Sequence, residues 1–232
     1  MKKIFYSVRN LKGIGISILS IATIFALYQN CGGSSDGGGV SSQGLESGAT
    51  TGGGTTGTSS TATFRLINST GLNINFAHIS SSTSTTWGPN LLSSDLANGS
   101  SMDFPGFSPG TYDGRAVIVA NSIYNAYIFG AAVSAGSLYS VTSTPSAYSG
   151  SLIITNGSPS LSITELYLAL PSDPTWGLNQ ISSNVSPGGS IHLYDLAPNN
   201  LEMLVVWSNG ASAFFVNVGI SPLTLTTGTA NP

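Results

Sequence analysis

The sequence predicts an all-β protein: two tandem immunoglobulin-like β-sandwich domains, preceded by a disordered Gly/Ser/Thr linker and an N-terminal signal helix. Three observations predict it. From residue 61 onward, short β-branched and aromatic runs alternate with Gly, Asn, Ser and Pro, with a turn signal about every ten residues. No window there carries a 3.6-residue apolar period. The second half of that region also repeats the first at a fixed offset.

The N-terminal segment comes first. Lys2, Lys3, Arg9 and Lys12 hold four of the six basic residues of the 232-residue chain. An apolar run follows over 13–28, through Ile14, Ile16, Leu19, Ile24 and Leu27. A cationic start before a short apolar stretch is the pattern of a secretory signal, and it is short for a membrane span. The single cysteine, Cys31, stands directly after it, followed by Gly32, Gly33 and Ser34.

On these residues the chain resembles a bacterial lipoprotein precursor. The usual box before the cysteine is Leu, a small residue, then Gly or Ala; here Tyr28, Gln29 and Asn30 take those places, a relaxed form. The resemblance implies cleavage after residue 30, acylation of Cys31, and membrane lipid as the first partner of the mature chain. Gly32 rather than Asp after the cysteine implies the outer membrane, with the leaflet left open. The alternative is a secreted or membrane-anchored protein with a free thiol, which is odd in a chain with no other cysteine.

Residues 31–60 are the lipidated cysteine and the linker, almost entirely Gly, Ser and Thr. Nothing there offsets the entropy of ordering the backbone, so the segment reads as a stalk of roughly 30 Å reach. Its glycine runs lack the strand-to-helix setting that would make them a phosphate cradle.

Strands are expected over 64–67, 72–79, 116–120 and 124–133, then over 152–155, 163–170, 201–207 and 213–218. Subtracting 89 lays Ile163 on Ile74, Trp176-Gly177 on Trp87-Gly88, Gly188 on Gly99, Pro198 on Pro109 and Glu202 on Asp113. Leu66-Ile67-Asn68 matches Ile154-Thr155-Asn156 after one extra residue. These matches divide the body into a first repeat, 61–144, a linker, 145–149, and a second repeat, 150–230. The Asn…Ile…Trp-Gly pattern is similar to a bacterial extracytoplasmic β-sandwich repeat of no assigned activity.

Composition excludes several functions. Only 6% of residues are charged, against roughly 25% in ordinary soluble domains. Without the first 30 residues, Arg65 and Arg115 face nine acids, a net −7. That balance is unsuited to nucleic acid or anionic lipid. Neither His78 nor His192 has a second His or Cys at ligand spacing, so no metal and no cofactor is expected. His192, near Tyr194 and Asp195, reads as a solvent-facing strand histidine. The acids Asp95, Asp103, Asp113, Asp173, Asp195 and Glu202 stand singly, and no calcium loop of the D-x-[DN]-x-[DN]-G type is present.

Gly106-Phe107-Ser108-Pro109-Gly110 fits the hydrolase elbow on paper. That elbow needs a backbone N–H after the serine, and Pro109 has none. It reads as a hairpin turn.

Trp87 and Trp176 are the candidate ligand-binding residues. Exposed indoles on a β-sandwich stack on sugar rings; the competing and favoured expectation is that each plugs the open end of its own sandwich. The sequence therefore predicts a lipid-anchored envelope protein, not an enzyme, serving as a structural or binding module for an unidentified protein or glycan. A carbohydrate-binding module using Trp87 and Trp176 is the alternative, and an envelope hydrolase with His78 or His192 beside a serine and an acid is the less favoured one.

Overall fold

A computed structural model describes residues 60–232. The signal segment, Cys31 and nearly all of the linker lie outside the described residues. The first unit holds β1 (Ala62–Asn68), β2 (Phe76–Ser81), β3 (Ser101–Phe107), β4 (Gly110–Val119), β5 (Ile123–Val133) and β6 (Leu138–Ser143). The second holds β7 (Gly150–Asn156), β8 (Ile163–Ala169), β9 (Ser190–Leu196), β10 (Asn199–Trp207), β11 (Ser212–Ile220) and β12 (Leu225–Ala230).

Both units are sandwiches of two three-stranded sheets with one topology. The sheets run β3-β1-β6 and β2-β4-β5 in the first unit, β9-β7-β12 and β8-β10-β11 in the second. In each, the first and last strands pair in parallel, β1 with β6 and β7 with β12, while the other ladders are antiparallel. Even the isolated bridges repeat, Ile74 with Leu96 and Ile163 with Val185. The fold class predicted from the sequence is the one observed.

Four strands escaped the sequence reading: β3, β6, β9 and β12. All are edge strands; β3, β6 and β12 are rich in Ser, Thr, Gly or Pro, with Pro105 and Gly106 in β3, and β9 interrupts its apolar residues with His192 and Asp195. Pro is tolerated on a sheet edge, where its missing N–H breaks no central ladder. The segment 106–110 does turn, but it closes no hairpin: it carries the chain from β3 in one sheet to β4 in the other, with Tyr112 Oη donating to Ser108 O at 2.9 Å.

Inward residues alternate along each strand, as period-2 patterning requires. Phe64, Ile74, Phe104, Ile118 and Tyr124 lead the first core; Leu152, Ile163, Leu168, Leu201 and Trp207 lead the second. Each core is pinned by one buried asparagine at the end of its first strand. Asn68 donates Nδ2 to Leu72 O and Leu96 O and accepts at Oδ1 from the amide and hydroxyl of Thr70. Asn156 donates to Leu161 O and Val185 O and accepts from Ser158 N and Trp207 Nε1. Both are fully buried, with donor and acceptor capacity spent on loop backbone.

The edges β2 and β8 are covered by their following loops. Asn90 Oδ1 accepts from Ala77 N, and Leu91 N donates to Ala77 O. In the second unit Asn179 Oδ1 accepts from Leu166 N, and Gln180 N donates to Leu166 O. A side-chain amide thus takes the place of a further strand and removes a pairing edge.

Candidate functional site

Two places gather chemistry-bearing side chains: the outer face of the β2-β4-β5 sheet, and the junction where β7 and β9 meet β5.

On the outer face, Ala126 and Ile128 point inward, so Tyr127 and Phe129 point out. Their rings lie nearly parallel, 5.9 Å apart at 12°. Trp87, from the loop after β2, joins the row 5.9 Å from Tyr127 and tilted by 32°. His78 and Gly88 fix that loop: His78 Nδ1 donates to Gly88 O at 2.9 Å, and a Cβ on Gly88 would sit 2.8 Å from Ile79 O. That close approach explains why glycine follows the indole.

The second unit keeps the tryptophan but not the row. Trp176 meets Phe214 edge-on, 5.6 Å away at 80°, and Val216 stands in place of the third ring. Trp87 and Trp176 are both half-buried and both on outer faces, so neither plugs a sandwich. The expected plugs exist, but other residues supply them. Trp207, 1% exposed, fills the second core; Tyr124 and Tyr148, each fully buried, fill the first. Trp207 takes this role because it ends an inward-facing strand beside Asn156, which accepts its N–H.

The junction is polar, with Ser122, Ser151 and Asp195 buried in it. Tyr127 Oη donates to Asp195 Oδ2 at 2.7 Å, and Ser122 Oγ donates to Ser151 Oγ at 2.7 Å. His192 Nε2 lies 3.2 Å from Ser122 Oγ, with its ring stacked on Tyr194 at 3.9 Å. Asn125 and Ser149 bond through their backbone and the Ser149 hydroxyl, and Asn125 Oδ1 accepts two bonds from Arg115. Tyr148, within the expected linker 145–149, is buried in the first core, where its hydroxyl meets Ser143 Oγ at 2.9 Å. Leu223 of the second unit packs against the same core.

Backbone geometry explains how the second unit reaches across. Three of its residues other than glycine have positive φ: Asp195 (59°), Asn217 (56°) and Leu223 (54°). Their structural counterparts in the first unit are Gly106 (92°), at the offset of 89, and Gly130 (70°) and Gly136 (72°), at an offset of 87 because the β10–β11 hairpin is two residues shorter than β4–β5. Glycine adopts this region freely, and side chains with a Cβ pay for it. Asp195 and Leu223, two of the three that bear that strain, are the ones that touch the first unit. The signal was available in the sequence as non-glycine residues facing glycines across the repeat.

Electrostatics follow burial. The Tyr127 hydroxyl is pushed well above its usual range, by burial first and then by the Asp195 charge and hydrogen bond. Tyr148 is pushed up to about 12 by burial. Burial lowers His192, which stands in the junction and not, as expected, out in solvent. On the opposite sheet, Arg65 forms a two-pronged pair with Asp103 at 2.6 and 2.7 Å, and its hydrogen bonds hold that carboxyl below the usual range.

His192 does meet a serine, but the pair is not arranged for nucleophilic attack. Ser122 is 6% exposed and donates its proton to Ser151. Asp195 spends Oδ2 on Tyr127, while its Oδ1 makes no hydrogen bond, so it does not orient the imidazole. Asp95 accepts from Asn75, Asp113 from Ser82 and the Gly130 amide, and Asp173 from Leu170 N. Among the described residues no three His, Cys, Asp or Glu side chains gather as a metal site, and no helix is long and apolar enough to cross a membrane.

No family model matches the chain, and no curated protein matches it. Among solved structures it is similar to GBS52, the minor pilin of Streptococcus agalactiae, at 11% identity and a TM-score of 0.27, covering 74% of this chain and 94% of that one. It is similar to the TIE protein of Bacillus anthracis at 11% and 0.26, covering 74% of this chain and about a third, 34%, of that one. The tip fimbrial protein Mfa3 of Porphyromonas gingivalis is 8% identical at a TM-score of 0.27, with 67% and 80% covered. Likenesses this remote carry no argument about what this chain does.

Proposed function

We propose that the protein is a lipid-anchored, non-catalytic module of the bacterial cell envelope, held to the outer membrane through Cys31. Its stalk carries two sandwiches fastened together as one binding or structural body. The observation that carries this reading is the junction. Polar side chains that chemistry would use, Ser122, His192, Asp195 and Tyr127, are spent on joining the units. A body joined in this way presents its outer faces at a fixed relative orientation, which suits display and attachment.

Metabolic labelling with an alkyne fatty acid, followed by intact-mass measurement, tests the anchor. The expected result is a chain starting at Cys31 with acyl groups attached, and loss of label in Cys31→Ser. An unlabelled chain with a free thiol contradicts it.

A second reading, glycan binding, is favoured by one observation: the outward row of Trp87, Tyr127 and Phe129 rings. Parallel outward rings suit the C–H faces of sugars. It rests on Trp87 alone of the two indoles, because Trp176 meets its neighbour edge-on. Glycan titration followed by indole fluorescence tests it; a response from Trp87→Phe equal to that of the parent chain contradicts it.

A further inference from the structure

The first unit contains an apolar cavity of about 80 Å³ between its sheets. Its wall includes Leu66, Ala77, Gly114, Ala116, Ala126 and Ile128, which face each other at one level of the sandwich. The space is real at the floor: a Cβ built on Gly114 finds nothing nearer than 3.9 Å, where it meets His78 O and Ile128 Cβ.

The repeat shows what a filled version looks like. At the positions of Ala77, Gly114 and Ala116 the second unit carries Leu166, Met203 and Val205, all buried at 2% exposure or less. The exchange is partly reversed on the facing sheet, where Tyr139 and Val141 stand opposite Thr226 and Gly228 of the second unit. Large residues on one sheet ordinarily answer small ones on the other, leaving no void. In the first unit that compensation falls short at Gly114.

Water is a poor occupant. A buried water needs two or more polar partners, and cavities without them stay dry and take apolar molecules. Ser143 Oγ, at the rim, is already paired with Tyr148 Oη. Among the described residues the buried side-chain atom lacking a partner is Asp195 Oδ1, which is not part of this wall.

We infer that this cavity is a binding site for one small uncharged apolar group, on the order of a xenon atom or a short alkyl segment, since a cavity about twice this volume admits benzene. The inference goes beyond the proposed envelope role and stands whether or not Cys31 is acylated.

Xenon is the probe. The full chain, labelled with 13C at alanine methyls, is titrated with xenon and followed by NMR. The expected result is a saturable shift of the Ala77, Ala116 and Ala126 methyls while Ala230, buried in the second core, stays still. Gly114→Leu abolishes the response. Ala116→Val, a milder filling that keeps the strand, reduces it should the leucine variant unfold. Overturning results are unmoved methyls, a shift that never saturates and that Ala230 shares, or an unchanged response in the folded filling variants.

Discussion

Tyr127 of the first unit donates its hydroxyl to Asp195 of the second at 2.7 Å, and Asp195 holds a positive φ of 59° to receive it. The counterparts of these two positions in the other repeat are Phe214 and Gly106. The first unit therefore supplies the donor and keeps a relaxed glycine at the acceptor's position, while the second supplies the strained acceptor and keeps a ring without a hydroxyl at the donor's position.

That hydrogen bond sets the sign of a double-mutant cycle. Tyr127→Phe leaves the buried Asp195 carboxylate without its donor and costs about 2 kcal/mol. Adding Asp195→Gly removes the stranded carboxylate and relaxes the backbone by about 1 kcal/mol. The double variant is thus more stable than Tyr127→Phe alone. Urea unfolding of the three variants measures it; strictly additive losses contradict the pairing.

Leu223 gives a second test of strained positions. Alanine normally stabilises relative to glycine, but φ at Leu223 is 54°. Leu223→Ala keeps the strain and loses the packing on the first core, whereas Leu223→Gly loses the packing and relaxes the backbone. The glycine variant is expected to be more stable than the alanine variant by about 1 kcal/mol. Thermal melts of the two decide it.

The repeat itself was legible because its matches are large residues at one offset: Ile74 and Ile163, Trp87 and Trp176, Pro109 and Pro198. The junction was not, because it is built where the copies differ, Asp195 against Gly106 and Leu223 against Gly136. A comparison that weighs matches passes over such positions. The indoles were misplaced for a different reason. Trp87 and Trp176 sit in loops, where no two-residue period says which side a ring faces, and Trp207 went unnoticed at the end of a strand whose alternation does say.

The buried asparagines should be the least replaceable polar residues. Asn68→Ala strands the Thr70 amide in the interior and takes one of two donors from each of Leu72 O and Leu96 O, which keep Thr70 Oγ1 and Ile74 N. The expected loss is about 3 kcal/mol or more, and Asn156→Ala, which also strands the Trp207 N–H, should match it. A loss under about 1 kcal/mol in denaturant titration would mean that water replaces the amide.

Alkaline pH should unfasten the first core and the junction. Tyr127 and Tyr148 both have hydroxyls raised above their usual value of about 10. The unfolded chain releases those protons first, so their stabilising contribution is complete below pH 10 and is lost as pH climbs toward about 12 and beyond. Tyr127→Phe should flatten that part of the profile. A stability curve whose alkaline limb is identical in the parent and Tyr127→Phe chains contradicts the assignment.

The most direct test of the account is whether the two units move as one body. Amide 15N relaxation on the mature chain gives a rotational correlation time for each unit separately. The account predicts one shared value for both, with the two values separating in Tyr127→Phe combined with Leu223→Ala. Two independent values in the parent chain would show that the junction does not hold, and that the units are carried as beads on a string.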